Sequence, residues 1–199
     1  MTCSLTAGEE FLRISVHGVH RGTDQRVRLL VRTGIAEPEV WADAAFGSVR
    51  RVPLDIDGPA DTHLVELPPR TAPLHRYVTL FGSAQGATVY SDGLAEYEVM
   101  PDGTVAITLV RAVSQLSRHD LPERPGHAGW PTPTPGAQCP GPFSASFALY
   151  RHGASRDAAT IDAIERTADD VLLPLTGESL RNAIDVMPET AGVRLDSAG

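Results

Sequence analysis

Short segments in which apolar and polar residues alternate are the feature that most limits how this chain can fold. Residues 11–19 carry apolar side chains at alternate positions, and residues 143–149 repeat the pattern. A period of two is typical of β-strands in a sheet that buries one face. Residues 25–33 are similar, and the short "HRGTD" before them predicts an antiparallel hairpin that joins them to residues 11–19.

Turn-forming residues divide the rest of the first two thirds of the chain into further short strands. The candidates are "GSVRRV", "THLVEL", "RYVTLFG", "ATVYS" and "AEYEVM", separated by Gly, Pro and Asp. Residues 105–113 are apolar at most positions, as in a strand covered on both faces. The "PDG" at 101–103 predicts a hairpin with the strand before it. This pattern predicts a mostly β protein, a large antiparallel β-sandwich.

One helix is predicted near the C-terminus, within residues 155–173. Its apolar stripe consists of Ile161, Ile164, Ala168 and Val171, and Ser155 is the predicted N-cap. We predict one partial β-sandwich over residues 1–176. Residues 177–199 are predicted to be the start of a truncated further β segment or a tail.

Composition excludes several classes of partner. The net charge of −8 argues against nucleic acid and anionic membrane surfaces, which both need a basic face. No run of about 18 apolar residues exists, so no membrane-spanning helix is predicted. Two cysteines far apart do not make a disulfide framework. A cytoplasmic protein with reduced thiols is therefore expected.

Residues 114–142, here called the long loop, show no periodicity and are rich in Pro and Gly. Such a segment in a compact domain is usually functional or disordered, and here the choice lies between an ordered loop at a site and a surface meander. His119, His127 and Cys139 are suitable types of metal ligand, but their spacing matches no known zinc pattern. The residues alone do not identify a reaction.

Five motifs in order carry a resemblance to a known family. They are "GLAEYEV" (93–99), "TLVRAV" (108–113), "LSRHDL" (116–121), "RPGHAG" (124–129) and "PGAQC" (135–139). The segment resembles the C-terminal β domain of family 38 glycoside hydrolases, the α-mannosidases and related mannosylglycerate hydrolases. The resemblance implies a supersandwich of the galactose-mutarotase type.

The same resemblance implies what this chain lacks. The family's zinc ligands and nucleophile belong to a separate catalytic domain, so no catalytic or metal-binding residue is assigned here. Zinc is expected in that missing domain. The chain is then expected to be a non-catalytic fragment that binds mannoside-type carbohydrate and completes an active site carried by a partner domain or chain, and by itself it is expected to lack activity.

The resemblance also suggests contacts to the sugar. In the family the long loop packs toward the catalytic domain, and an Arg from it helps to line the sugar pocket. Arg124 is the candidate by position, with Asp120 and Gln138 as supporting polar groups. The alternative is that Arg124 holds the loop to Asp120 or Glu123 and touches no ligand.

Two other functions remain open from the sequence. A free-standing carbohydrate-binding module would need an exposed aromatic platform, for which the chain offers Trp41 and Trp130. A sugar epimerase would need a His and a carboxylate that converge in a cleft. His75, His119 and Glu96 are the residues available for that role.

Overall fold

The computed structural model describes residues 1–52, 66–121, 123–126 and 129–173. Within them the chain forms thirteen β-strands, a 3₁₀ turn (Pro135–Gln138) and one α-helix, α1 (Ala158–Leu172). The strands are β1 (Thr2–Ser4), β2 (Phe11–His20), β3 (Arg26–Arg32), β4 (Glu39–Ala42), β5 (Val49–Arg51), β6 (Ala72–Pro73), β7 (Tyr77–Phe81), β8 (Gly86–Asp92), β9 (Glu96–Val99), β10 (Thr104–Arg111), β11 (Asp120–Leu121), β12 (Arg124–Pro125) and β13 (Gly141–His152).

Two antiparallel sheets account for most of these strands. In the described part of the chain, the larger sheet has seven strands in the order β1-β2-β13-β8-β7-β4-β5. The smaller sheet has four, in the order β3-β10-β9-β6. The prediction of a mostly β, antiparallel fold with one helix near the C-terminus is confirmed. The predicted strand "THLVEL" lies mostly outside the described residues, and the predicted segment 177–199 lies wholly outside them.

The two sheets face each other across one hydrophobic core. Val40 and Leu80 enter it from the larger sheet, and Tyr97 and Ile107 enter it from the smaller sheet. All four are nearly or completely buried. The long strands of both sheets contribute alternate residues to this core, as the period of two requires. The arrangement is a β-sandwich.

The predicted hairpin between residues 11–19 and 25–33 is wrong. β2 pairs with β1 and β13 in the larger sheet, while β3 pairs with β10 in the smaller one. The short connection therefore crosses from one sheet to the other. A short turn that contains Gly can join two strands of one sheet or connect the two sheets. Which of these occurs depends on the strands with which β2 and β3 pair.

The hairpin of β9 and β10 is present as predicted. Val105 pairs with Val99 and Ile107 with Tyr97 across it. Its turn requires Gly103, whose φ is +77° and where a Cβ atom would lie 2.0 Å from the carbonyl oxygen of Ile35. Any other residue would meet both backbone strain and a steric clash there.

The helix α1 begins at a different cap from the one predicted. The carboxylate of Asp157, rather than the hydroxyl of Ser155, accepts a hydrogen bond from the Thr160 backbone N–H at 2.8 Å. The predicted apolar stripe is confirmed, with Ile164 and Ala168 fully buried. None of the helices in the described residues has the length and apolar character needed to cross a membrane.

The helix covers the face of the larger sheet that points away from the smaller one. Ile164 packs there among aromatic side chains that include Tyr77, Tyr90 and Tyr150. The hydroxyl of Tyr90 donates to the carbonyl of Ile164 at 2.9 Å. The molecule therefore has three layers in the order smaller sheet, larger sheet, helix.

A buried ion pair joins the helix to the larger sheet. The side chain of Asp43 is 1% exposed and accepts two hydrogen bonds from the Arg76 guanidinium, from Nε at 2.9 Å and from Nη2 at 3.1 Å. Arg76 Nη2 also donates to Glu165 of α1 at 2.6 Å, and the Tyr77 hydroxyl donates to the same carboxylate at 2.5 Å. Arg76 thus bridges a carboxylate beneath the helix and one on it.

The C-terminal end of α1 is held by Arg13 of β2. Its guanidinium donates to the carbonyls of Asp170 and Val171, at 3.1 and 3.4 Å, and to the carboxylate of Glu9 at 2.9 Å. Carbonyls at a helix C-terminus have no partner within the helix and attract cations. Arg13 therefore fixes where the helix ends on the sheet.

Candidate functional site in the long loop

The long loop is ordered by hydrogen bonds between its outgoing and returning halves. Leu116 N donates to Thr132 O at 2.9 Å, and Thr134 N donates to Ser114 O at 2.8 Å. The pair β11 and β12 forms a second, smaller ladder within it. The long loop therefore has defined internal pairing, and its role at a site stays a prediction.

One carboxylate fastens both ends of this loop. Asp24, in the connection between β2 and β3, accepts from Ser114 N at 2.6 Å and from Gln138 Nε2 at 3.2 Å. The Asp24 backbone N–H in turn donates to Gln138 Oε1 at 3.0 Å. Hydrogen bonds from Ser114 and Gln138 hold the pKa of Asp24 below its ordinary value. The amide of Gln138 is therefore engaged through both its oxygen and its nitrogen.

A buried histidine supports the returning end of the loop. His20 Nδ1 lies 3.1 Å from the carbonyl oxygen of Cys139, and Nε2 lies 3.0 Å from the amide nitrogen of Gln25. Because a carbonyl only accepts, Nδ1 carries the proton and Nε2 accepts from the amide. His20 is a structural residue in this position.

A cavity of about 530 Å³ lies against the loop and is lined mainly by polar side chains. Its lining residues are Ser114, Gln115, Arg118, His119, Asp120 and Pro131. Within it, Arg118 and Asp120 form a bidentate ion pair, with Nε to Oδ1 at 2.8 Å and Nη2 to Oδ2 at 2.6 Å. The hydrogen bonds and charge of Arg118 hold the pKa of Asp120 below its ordinary value.

An exposed tryptophan precedes one of the lining residues in the chain. Trp130 is 79% exposed and directly precedes Pro131, which lines the cavity. The cavity therefore combines a carboxylate, a guanidinium, an imidazole and an amide, and the exposed indole ring of Trp130 belongs to the residue just before Pro131. Such a set can hydrogen-bond the hydroxyls of a sugar while its apolar face packs on the indole ring.

The three residues predicted from sequence do not share one site. Asp120 lines the cavity, whereas Gln138 lies at the base of the loop on Asp24. Arg124 Nη1 donates to the carboxylate of Glu66 at 3.2 Å. In the ladder, Asp120 lies opposite Pro125 and Arg124 opposite Leu121, so Asp120 and Arg124 project to opposite faces.

The partner of Arg124 was not among those expected from the sequence. Its described ion pair is with Glu66, 58 positions away along the chain, rather than with Asp120 or Glu123. The Glu123 carbonyl accepts from Leu67 N at 2.8 Å, so the same two chain segments are also joined through backbone. A role for Arg124 in sugar binding stays a prediction. Arg118, which sequence reasoning passed over, is the arginine that lines the cavity.

The residues considered for an epimerase have separate partners. His75 Nδ1 donates to the buried carboxylate of Asp43. Glu96 accepts from the Thr108 hydroxyl at 2.6 Å and pairs with Arg111 at 3.1 Å. His119 lines the cavity in the long loop. His75, Glu96 and His119 therefore do not converge as the acid and base of an epimerase.

The metal ligands considered in the sequence are not assembled into a site. Across residues 1–52, 66–121, 123–126 and 129–173, no group of three or more His, Cys, Asp or Glu side chains is arranged to hold a metal ion. His127 lies outside the described residues. Cys139 is an exposed free thiol, as is Cys3.

Comparison with known proteins agrees with the resemblance seen in the sequence. No profile of a known protein family matches the chain. A protein of Halalkalibacterium halodurans, described as a proposed mannosylglycerate hydrolase, is 31% identical over 153 residues. That match covers 75% of this chain and 15% of the relative.

Two solved structures from Enterococcus faecalis have the same fold over 90% of this chain. One is a protein of glycosyl hydrolase family 38, with 26% identity and a TM-score of 0.68. The other is an α-mannosidase of strain V583, with 27% identity and a TM-score of 0.70. The resemblance to family 38 glycoside hydrolases is confirmed. The chain spans only 18% of each of these two structures, an extent that fits a single β domain of such an enzyme.

Proposed function

We propose that this chain is a non-catalytic, carbohydrate-binding part of an α-mannosidase-like family 38 enzyme. Its long loop would complete a sugar site whose catalytic groups lie on another domain of the same enzyme. The observation that carries the proposal is the polar cavity around Arg118 and Asp120 in a chain whose relatives are family 38 proteins. The partner would be a zinc-dependent catalytic domain, as the family resemblance implies.

The chemistry of the cavity suits a neutral sugar. The ionised carboxylate of Asp120 accepts from sugar hydroxyls, and the guanidinium of Arg118 donates to them. The charges of Arg118 and Asp120 compensate each other, so the site has little net charge and does not favour a charged ligand over a neutral one. Trp130 supplies the stacking surface. In this proposal Gln138 acts indirectly by holding the base of the loop, and Arg124 remains a second candidate contact.

The binding step can be tested by NMR titration of the chain with methyl α-D-mannopyranoside. We expect shifts of the amide signals of residues 114–120 and 129–131. Asp120→Asn should weaken binding by about tenfold, because a charge-assisted hydrogen bond becomes a neutral one. Asp162→Asn is the matched control, since Asp162 forms a similarly exposed ion pair with Arg166 on α1. Equal binding by both variants would contradict the proposal.

The completion of an active site needs a second experiment. The chain, added to the zinc-loaded catalytic domain of a family 38 relative, should raise hydrolysis of 4-nitrophenyl α-D-mannopyranoside. The Asp120→Asn chain should raise it less, and the Asp162→Asn chain should raise it as much as the unchanged chain. No increase with the unchanged chain would argue against this role and leave binding alone.

The exposure of Trp130 also favours a free-standing carbohydrate-binding module. This alternative requires that the isolated chain bind the mannoside and that Trp130→Ala abolish the binding. It further requires that the chain have no effect on hydrolysis by any catalytic domain. The two experiments together therefore distinguish the two functions.

A further inference from the structure

A second cavity opens at the side of the sandwich, where the edge strands of the two sheets approach each other. Its volume is about 730 Å³. β5 borders it on the larger sheet, and β6 and β9 border it on the smaller one. Val40, Val99 and Met100 supply apolar wall. Because different residues line this cavity and the cavity in the long loop, the two can be tested independently.

Arg51 directs its side chain toward the inside of the sandwich. It pairs in register with Val40, whose side chain is buried between the two sheets, and paired residues project to the same face. Its neighbour Arg50 pairs with Trp41, which packs on the opposite face near the helix. A cation that points inward from an edge strand therefore reaches the mouth of the cavity.

Tyr97 approaches the same cavity from the smaller sheet. It pairs with Ile107, which is completely buried, so its ring points toward the larger sheet. The residue is 2% exposed, and no described residue makes a well-aligned hydrogen bond to its hydroxyl, although the Arg51 guanidinium lies close enough to interact with it. Burial raises the pKa of this hydroxyl, while the charge of the Arg51 guanidinium and its hydrogen bonding to the hydroxyl act in the opposite direction. Buried hydroxyls in proteins are usually hydrogen-bonded, so a ligand in the cavity could supply the partner for this one.

The other charged groups at this cavity are largely engaged elsewhere. Glu98 forms an ion pair with Arg28, Arg50 lies 3.5 Å from Glu39, and Arg70 has a contact of its own. Glu37 is exposed at the rim. Among the described residues, one guanidinium and one neutral hydroxyl are left at the cavity, and this set suits a ligand with a single negative charge. A planar carboxylate matches the fork of a guanidinium.

We propose that this cavity binds a small organic carboxylate of the sugar-acid class, with Arg51 as its charge partner and Tyr97 as its hydrogen-bond donor. The apolar wall of Val40 and Met100 packs against the carbon skeleton of the ligand. The site lies in a chain of net negative charge, so its selectivity depends on local geometry rather than on overall attraction.

An NMR titration with D-glucuronate, D-glucose and inorganic phosphate tests this proposal. D-glucuronate should shift the amide signals of β5 and β9, and D-glucose should not. Arg51→Gln should weaken D-glucuronate binding by at least about tenfold, the usual loss when a charge-assisted hydrogen bond is removed. Arg166→Gln is the control, because Arg166 is an exposed arginine of α1 that does not line this cavity, and it should change binding by less than about twofold.

Tyr97→Phe provides a second, independent variant. It should weaken D-glucuronate binding by about fivefold, because one hydrogen bond is lost. Since the described interaction of this hydroxyl is with Arg51 at the mouth of the cavity, the melting temperature of the unliganded variant should change little. A clear drop in melting temperature would mean that the hydroxyl already serves the fold, and would overturn its assignment to a ligand.

Three further results would overturn the proposal. They are equal binding of D-glucose and D-glucuronate, preferential binding of phosphate, and D-glucuronate affinity unchanged by Arg51→Gln. If Arg51→Gln increases self-association and leaves ligand binding unchanged, the inward arginine only protects an open sheet edge against other chains. None of these results bears on mannoside binding in the long loop, which the Asp120→Asn variant tests separately.

Discussion

The same pairing of arginine and aspartate occurs in two regions of this molecule and serves two different purposes. Arg76 and Asp43 form a bidentate pair beneath α1, and Arg118 and Asp120 form one in the long loop. The Asp43 side chain is 1% exposed, whereas that of Asp120 is 67% exposed. Geometry alone therefore does not distinguish a structural ion pair from one that is available to a ligand, but burial does.

The two pairs differ because a different partner is available to each carboxylate once its arginine is removed. Water reaches Asp120 at once and replaces the lost hydrogen bonds, so little free energy of unfolding depends on the pair. Asp43 would keep its charge in the interior with His75 as its main remaining partner. A buried charge without compensation is strongly destabilising.

The largest effect is expected from Arg76→Met. The variant leaves Asp43 and Glu165 without their shared cation, and the free energy of unfolding should fall by about 3 kcal/mol. Urea denaturation followed by circular dichroism measures it. Arg166→Met is the control, because Arg166 pairs with Asp162 at the exposed surface of α1. Similar losses in the two variants would contradict the importance of burial.

The buried pair should also govern stability in acid. Burial alone would raise the pKa of Asp43, but its hydrogen bonds and charge interaction with Arg76 more than reverse this and leave the pKa lowered. An unfolded Asp has a pKa of about 3.9. Ionised Asp43 therefore stabilises the fold above about pH 4, and this contribution is lost as the pH falls through the folded pKa.

Unfolding measurements between pH 3 and pH 7 check this expectation with Asp43→Asn. The difference in free energy of unfolding between the original chain and the variant should be largest near pH 7 and shrink below about pH 4. A difference that stays constant over the whole range would mean that ionisation of Asp43 does not contribute.

A smaller and more local effect is expected from Gln138→Ala. The substitution removes both hydrogen bonds to Asp24 and should cost about 1 kcal/mol of local stability. Hydrogen exchange at the amides of residues 114–116 should become faster, while the strands of the sandwich keep their protection. Gln85→Ala is the control, because Gln85 is a half-buried glutamine of the β7–β8 turn that accepts from Arg151, far from the long loop in sequence, and its loss should leave the loop unchanged.

The smallest effect on stability is expected from Arg118→Met. Because the pair with Asp120 is exposed, the free energy of unfolding should change by less than about 1 kcal/mol. Mannoside binding should nevertheless fall. If the variant loses mannoside binding but keeps its stability, the exposed pair serves the ligand and the buried pair of Arg76 serves the fold. If the Arg118→Met variant unfolds, this distinction between the two pairs is wrong.

The strands and the helix were predictable because their side-chain periods are local properties. The stripe of α1 and the hairpin of β9 and β10 follow directly from neighbouring residues. The crossing from β2 to β3 was not predictable, because the partners of these strands, β13 and β10, lie more than 70 positions away. The cap of α1 was misassigned because Ser155 and Asp157 are both good capping residues.

The candidate site was predictable only as a segment. The motifs located it in the long loop and selected Asp120, which does line the cavity. They pointed to Arg124 by its position, and the sequence does not reveal that β11 and β12 turn Asp120 and Arg124 to opposite faces. The pairs of Arg124 with Glu66 and of Asp43 with His75 join distant segments, so no spacing rule identifies them.

The position of Asp24 has a consequence for how this protein could be redesigned. One side chain closes a segment of roughly two dozen residues by contacting Ser114 at its start and Gln138 at its end. Closure entropy rises only slowly with loop length, by about 0.6 kcal/mol for each doubling. Residues 115–137 therefore form an exchangeable module: a different ligand-recognition sequence could be grafted there while Asp24, Ser114 and Gln138 keep the junction with the sandwich intact.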